Sequence, residues 1–465
     1  MNLIKDIKEN NLVELFMKGN FGLEKEGLRV KGHANLATSM HPKSLGNREV
    51  NPHIKTDYGE AQPEIITPPL APYSKAYNWL QTLSYVLIAN LLDEEYMWPF
   101  SVPCNLPEDD SLINISQTSN IELEEYRMYT ASKYGKKRQL VNGIHINYSF
   151  NPQFLEKLFF IQTQFETIEA LRDELYLKLA SNFLRYQWLL VYLFGATPVA
   201  ETPFFTGPFF KDKNIPTEPM RSLRNSNFGF TNHPKVVVRY DSIKNYVTDL
   251  QSAVQTGKLK LEREYYGAVR LRGVVKDSAS LLEDGIQYLE MRSFDNNPFE
   301  VSGLSEEMLQ FVHLFFMTML SLPEKVSALE TEKGNNLTKK VASEHPFSKT
   351  KMMDEGYWLL GQMQHLITML ELPYDYSELV DQAAEALKKP EKTISGRITT
   401  ILESGSSLLT MGEELGRHHK KEILSIQSLP GFDHLLLAEQ LQIVNMLQLG
   451  ADVPLEYIED IHMVD

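Results

Sequence analysis

Apolar and polar side chains alternate along residues 140–150. Ile144, Ile146, Tyr148 and Phe150 fall on one side of an extended chain, and His145, Asn147 and Ser149 fall on the other. A period of two predicts a strand with one buried and one polar face. Alternating runs at 235–240, 268–274 and 286–294 predict further strands, and 21–70 reads as short strands joined by turns. Elsewhere the period becomes helical. Residues 75–95 have helical apolar spacing, with Ser74 the expected N-cap. Residues 164–194 predict one long amphipathic helix stopped by Gly195, and the helical pattern runs from about 303 almost to the end. The expected fold class is therefore α+β with a helical C-terminal third. We expect an α+β core over 1–325 and a helical region over 326–465 packed on it.

The length of 465 residues is compatible with about three domains or one large unit. There is no internal repeat, low-complexity tract or flexible linker. A net charge of −15 repels phosphodiester backbones and anionic membrane surfaces, which argues against nucleic-acid and lipid partners. The most apolar run, Phe311 to Leu322, contains a histidine and is shorter than the ~20 residues a bilayer demands, so it predicts a buried helix. Cys104 is the single cysteine, which excludes an intrachain disulfide and a cysteine-based zinc site and suits a reducing compartment. The N-terminus is broken by charges and lacks a secretory apolar stretch, so the expected location is the cytoplasm.

Polar residues concentrate in five segments. In FGLEKEGLRV (21–30), Glu24 and Glu26 point to one side of a strand, where two like charges are unfavourable without a cation between them. In TDYGEAQPEIITP (56–68), a strand over 60–66 would align Glu60, Gln62 and Glu64, with Asp57 in the preceding turn. Pro63 lacks an N–H and predicts an edge strand or a bulge there. Such oxygen ligands suit Mg²⁺ or Mn²⁺. In QLVNGIHINYSF (139–150), His145 lies on the polar face; alone it reads as a structural histidine. In GIQYLEMRSFDNNPF (285–299), Tyr288, Glu290, Arg292 and Phe294 share a predicted face, with Glu290 and Arg292 roughly 7 Å apart. They form either a surface ion pair or a metal ligand beside a phosphate-facing guanidinium. Arg224 in SLRNSNFGFTN (222–232), and Arg270 with Arg272 in YYGAVRLRG (265–273), supply further cations. His418 and His419 read as a solvated helix face. The chain has no P-loop, dinucleotide fingerprint, H-E-x-x-H or G-x-S-x-G motif. A strand-built acidic site with arginines fits metal-assisted phosphoryl transfer, and equally a cation-binding protein without chemistry.

Taken in order, FGLEKEGLRV, TDYGEAQPEIITP, YGKKRQLVNGIHINYSF, YLFGATPVAE, SLRNSNFGFTN and YLEMRSFDNNPF resemble the motif series of bacterial glutamate–cysteine ligase. The likeness is closest to the ligase module of the bifunctional glutathione-synthesising enzyme. It implies a glutamine-synthetase-like antiparallel sheet forming a funnel. It also implies ATP-dependent joining of the glutamate γ-carboxyl to the cysteine amine through γ-glutamyl phosphate. By the same matching, Glu24, Glu26, Asp57, Glu64, His145 and Glu290 would hold Mg²⁺ or Mn²⁺. Arg292 would stabilise charge on the moving phosphoryl group. Tyr58, Tyr126, Gln139, Arg224, Phe230 and Tyr266 would line the cysteine pocket. Phe230 stands where some members of the family carry tyrosine, so a hydroxyl is missing there. The resemblance implies either a stand-alone ligase or a module of a longer chain that continues into a glutathione synthetase. A related ligase with another amine acceptor has the same site.

Overall fold

The computed structural model describes residues 3–232, 235–275, 277–454 and 457. Both outer ends of the two expected regions lie outside the described residues. Six strands form the main sheet: β1 (Asn20–Glu26), β2 (Ile54–Thr56), β3 (Pro63–Ile66), β4 (Ile144–Ser149), β5 (Val269–Arg272) and β6 (Tyr288–Phe294). Their order is β2–β3–β1–β4–β6–β5, with every neighbouring pair antiparallel. A smaller sheet joins Leu28–Lys31, Asn35–Leu36 and Tyr96–Trp98. The α+β expectation holds, and the chain is helical from Glu306 onward.

The alternation seen in the sequence sorts the main sheet into two faces. Phe21, Leu23, Ile65, Ile144, Ile146, Leu289 and Met291 lie on the inner face and are buried. Helices Tyr73–Ala89, Ile168–Tyr186 and Glu306–Ser321 contribute to the same core. Each fully buried Leu, Ile or Phe contributes roughly 1.5–3 kcal/mol, so this face fixes the register of the other. The apolar run at 311–322 is the buried helix expected. Leu359, Leu387 and Ile443, beyond residue 325, belong to the same continuous core. Among the described residues no helix is long and apolar enough to cross a membrane.

Several local expectations are corrected. The helix behind residue 75 starts at Tyr73 with Pro72 as N-cap, so Ser74 lies inside its first turn. It ends at Ala89, where the Asn90 side chain donates to the Val86 carbonyl. The 164–194 helix is two helices, Ile168–Tyr186 and Trp188–Phe194, meeting at Gln187, whose side chain accepts from the Ser293 hydroxyl. Residues 235–240 form no strand: the Arg239 N–H is committed to the Asp249 carboxylate at 3.0 Å. Glu60 lies in a turn, where it pairs with Arg48 and leaves the strand face expected of it. Pro63 is neither at an edge nor in a bulge. It is the first residue of β3, an interior strand, where no ladder N–H is required. His419 is buried, whereas His418 is exposed.

The bulge occurs in β6 instead. Ile146 pairs with Met291 but Ile144 pairs with Phe294, so β6 carries one extra residue. That residue returns Phe294 to the core, correcting its expected place beside Glu290 and Arg292.

His313 lies in this core with neither ring nitrogen hydrogen-bonded, edge-on to Phe21 at 5.1 Å. Burial pushes its pKa from 6.5 down to about 3. Between those values the unfolded chain binds a proton that the folded chain refuses, so stability rises with pH across that window. We expect His313→Leu to remove this contribution. By urea unfolding, the wild-type-minus-variant stability should rise by up to about 1.4 kcal/mol per pH unit inside the window and stay flat above it. A pH-independent difference would show that His313 titrates alike in the folded and unfolded chain.

Candidate active site

Strand register builds the site on the outer face of the main sheet. Glu26 is paired with Glu64 across β1–β3, Glu24 with His145 across β1–β4, Asn147 with Glu290 across β4–β6, and Arg270 with Glu290 across β5–β6. The face is thus acidic toward β3 and basic toward β5. His145 Nδ1 lies 3.0 Å from Glu24 Oε2 and 3.8 Å from Glu290 Oε1, and its Nε2 lies 3.9 Å from Glu26 Oε1. Asn147 Nδ2 donates to Glu24 Oε1 at 2.8 Å. Arg292 and Arg272 hold the two oxygens of Glu290.

The two halves titrate in opposite directions. Burial, then the neighbouring Asp57, pushes Glu26 up to about 8. Burial also raises Asp57, against the opposing pull of Arg127. Glu64 is raised well above the usual range by burial and by Glu24, Asp57 and Glu26. Burial acts on Glu290 too, but Arg292, Arg270 and Arg272 outweigh it and hold the carboxyl well below the usual range. In Glu24 burial is outweighed by His145 and Asn147. His145 itself is lowered, first by burial and then by Arg292, and so stays a neutral ligand type.

These residues fit divalent cations. Ligand atoms of Glu24, His145 and Glu290 lie within 4.8 Å of one another. Asn147 Oδ1 beside them is a buried acceptor without a donor. Glu26, Asp57 and Glu64 lie outside this tight group but form a second cluster of crowded carboxyls, coupled to each other and to Glu24.

Beyond β6 lies a cavity of about 260 Å³ whose lining includes Arg224, Phe230, Tyr266 and Arg292. Phe230 stacks on Tyr266 with ring centres 4.8 Å apart. Burial, and then the nearby Tyr266, pushes the Tyr126 hydroxyl up. Gln139 Nε2 and Arg224 Nε are buried donors without acceptors, as a carboxylate-binding pocket requires. Arg224 Nη2 donates to the Arg292 carbonyl at 2.9 Å, and Nη1 is 3.9 Å from Asp295. Tyr58 does not line this cavity; its charged neighbours are Arg127 and Asp110. Of the six expected pocket residues, Arg224, Phe230 and Tyr266 line the cavity, while Tyr58, Tyr126 and Gln139 do not.

Four participants carried no assignment in the sequence reading. Asn147 and Arg272 were visible on the correct strand faces, but an amide and an arginine on a strand are common. Arg127, whose guanidinium donates to the Asp57 carbonyl at 2.6 Å, comes from a helix without any local signal. Asp295 is buried and receives Thr197, Ser222 and the Ala196 N–H. Cys104 is buried in the second core cluster, and its desolvated thiol titrates far above the usual range.

Clustered oxygen ligands facing arginines on an antiparallel sheet form a site where a cation-bound polyanion can meet a second anionic reactant. A profile of the glutamate-cysteine ligase family matches residues 4–260 and 256–341. The glutathione biosynthesis bifunctional protein of Pasteurella multocida is 37% identical over 447 residues, covering 96% of this chain and 58% of that protein. Its counterpart in Enterococcus faecalis is 34% identical, covering 97% of this chain and 59% of its own length. The crystal structure of a bifunctional glutathione synthetase from Pasteurella multocida superposes with a TM-score of 0.88 at 36% identity, covering 96% of this chain and 58% of that one. A glutamate–cysteine ligase from Francisella tularensis, solved in complex with AMP, gives 0.79 at 25% identity, covering 95% of this chain and 97% of that one. The chain belongs to the glutamate–cysteine ligase family. It spans somewhat under three fifths of the length of the bifunctional relatives.

Gly143, two residues before His145, is required by packing. A Cβ there would collide with the Arg224 guanidinium. Gly143→Ala should lower unfolding stability by about 1–3 kcal/mol, the range for overpacking a buried site. In an Arg224→Ala background most of that loss should vanish, because the colliding group is gone. Equal losses in both backgrounds, read by urea denaturation, would place the constraint elsewhere.

Proposed function

We propose that the protein joins the γ-carboxyl of L-glutamate to the amine of L-cysteine using ATP, by way of γ-glutamyl phosphate, as the first step of glutathione synthesis. The observation that carries this reading is the division of one sheet face into a carboxylate half and an arginine half, with the cavity beside the arginines. Glu24, His145 and Glu290 would hold one Mg²⁺ or Mn²⁺, and Glu26, Asp57 and Glu64 a second. Bound divalent ions supply charge neutralisation and orientation for the triphosphate. The chain's own residues do the rest. Arg292, on the Glu290 strand, stabilises charge on the phosphoryl group as it moves to the glutamate carboxylate. Arg224 fixes the cysteine carboxylate, and Phe230, Tyr266, Gln139 and Tyr126 wall its pocket. The roles of these residues, and of Tyr58, are part of the proposal.

The length of the relatives supports a further reading, that a glutathione synthetase module accompanies this one in a longer chain. The buried free thiol of Cys104 and the small-molecule substrates fit a cytoplasmic enzyme. Phe230 offers no hydroxyl to a substrate carboxylate, which favours testing other amine acceptors beside cysteine.

ADP release with Mg²⁺, ATP and glutamate should require cysteine for sustained turnover; a better acceptor than cysteine would redirect the assignment. In the same assay Arg292→Ala should lower kcat by a factor corresponding to about 3 kcal/mol, with a much smaller rise in the KM for ATP. Lysine at 292 should restore only part, since a point charge does not replace the planar fork. Near-wild-type kcat in folded Arg292→Ala would reduce the Arg292–Glu290 contact to a structural ion pair.

A further inference from the structure

Behind the Phe230–Tyr266 wall runs a column of cations and aromatic rings. Lys213 Nζ lies 3.6 Å from the centre of the Phe209 ring. The Arg138 guanidinium carbon lies 3.5 Å from the same ring, 5.0 Å from Tyr134 and 5.2 Å from Phe230. Phe230 then stacks on Tyr266, which faces the cavity shared with Arg224 and Arg292. Arg138 is 1% exposed. Its Nη2 donates to the Gly229 carbonyl, while Nε and Nη1 are buried without any acceptor.

A buried guanidinium normally has a carboxylate beside it, because leaving a charge unpaired in the interior is strongly unfavourable. Among the described residues Arg138 forms no ion pair, and its neighbours in charge are Tyr266 and Tyr134. Aromatic faces offset part of that penalty and fix the plane of the fork. They do not satisfy Nε and Nη1. Arg224, which lines the cavity together with Arg239, Arg292 and Lys339, is partly committed to Asp295 and to the Arg292 carbonyl. The ring at position 230 brings no donor of its own. A substrate carboxylate entering this cavity would therefore meet lining cations that already have partners, such as Arg224 and Arg292, and, behind the aromatic wall, a guanidinium with two unpaired donors.

We propose that Arg138 is a specificity-determining residue of the acceptor pocket: its buried, anion-free guanidinium, held by Phe209 and Phe230, selects an amine substrate that also carries a carboxylate. The inference rests on reading the cavity as the acceptor pocket of the proposed ligase. It would give a pocket with phenylalanine at 230 a preference for an anionic acceptor. Arg138 acts through the field it places on the pocket and through the ring it holds, so its signature is discrimination between acceptors, not loss of turnover with all of them.

The test compares L-cysteine with L-cysteinamide, which keeps the amine and thiol and lacks the carboxylate. ADP release is measured for the full chain with Mg²⁺, ATP and glutamate. Wild-type protein that releases no ADP with cysteine overturns the ligase reading, and this inference with it, before any variant is made. With wild type active, Arg138→Met should lower kcat/KM for cysteine about 10-fold while changing that for cysteinamide less than about 2-fold, as expected when a polar recognition element is removed. The KM values for ATP and glutamate should stay near those of wild type. Equal losses for both acceptors would make Arg138 a packing residue, and unchanged values for both would remove it from recognition; either result overturns the inference. If Arg138→Met fails to fold, Arg138→Lys decides: the retained charge should give a smaller loss, confined to cysteine, and a loss shared by both acceptors overturns the inference.

Discussion

Repulsion among Glu24, Glu26, Asp57 and Glu64 is the constraint on which the rest of the molecule depends. Strand register and a turn hold four carboxyl groups together on a half-buried surface, and burial pushes three of them toward the protonated state. Such a cluster persists only because something larger fixes the strands. The inner face of the same sheet supplies it, with Leu23, Ile65, Ile146 and Met291 packed under the central helices. A register slip of one residue would exchange the two faces, so the core that stabilises the fold also holds the acids in place.

The arginine half of the face completes the arrangement. Glu290 sits between Arg292 and Arg272, which hold its carboxyl below the usual range, whereas burial and its acidic neighbours raise Glu64. Cations collect toward β5 and carboxylates toward β3, and the two groups meet at Glu290. That juxtaposition suits the proposed reaction, in which a polyphosphate and a carboxylate must approach each other. The cavity beyond β6 continues the basic side, where the proposed function would place the amine substrate.

Much of this was legible in the sequence because it depends on local periodicity. The alternation around His145 gives β4 directly, since one of its faces is buried and the other is not. Glu24 with Glu26, and Glu290 with Arg292, follow from the same period of two. The bulge in β6 leaves no such trace: one extra residue moves Phe294 to the core, although the amino-acid pattern still alternates. Residues 235–240 alternate as well, yet the Arg239 N–H is taken by a helix side chain. Pro63 was misplaced because a proline opening an interior strand looks, in sequence, like one at an edge. Arg127, Asp295 and Arg138 act through contacts between distant segments, which no local pattern encodes. The motif resemblance adds what periodicity does not, an expectation of which polar residues share one site; of its six pocket residues Arg224, Phe230 and Tyr266 line the cavity.

The central claim is that the divided face activates a carboxylate by phosphoryl transfer before the amine attacks. Glutamate labelled with ¹⁸O in its γ-carboxyl tests this most directly. If γ-glutamyl phosphate forms, one labelled oxygen leaves with the phosphate and the other stays in the new amide. Mass spectrometry of the released inorganic phosphate should therefore show one ¹⁸O atom per turnover, dependent on ATP and cysteine. Unlabelled phosphate accompanying full amide formation would contradict the account, because the carboxyl oxygen would never have been bonded to phosphorus.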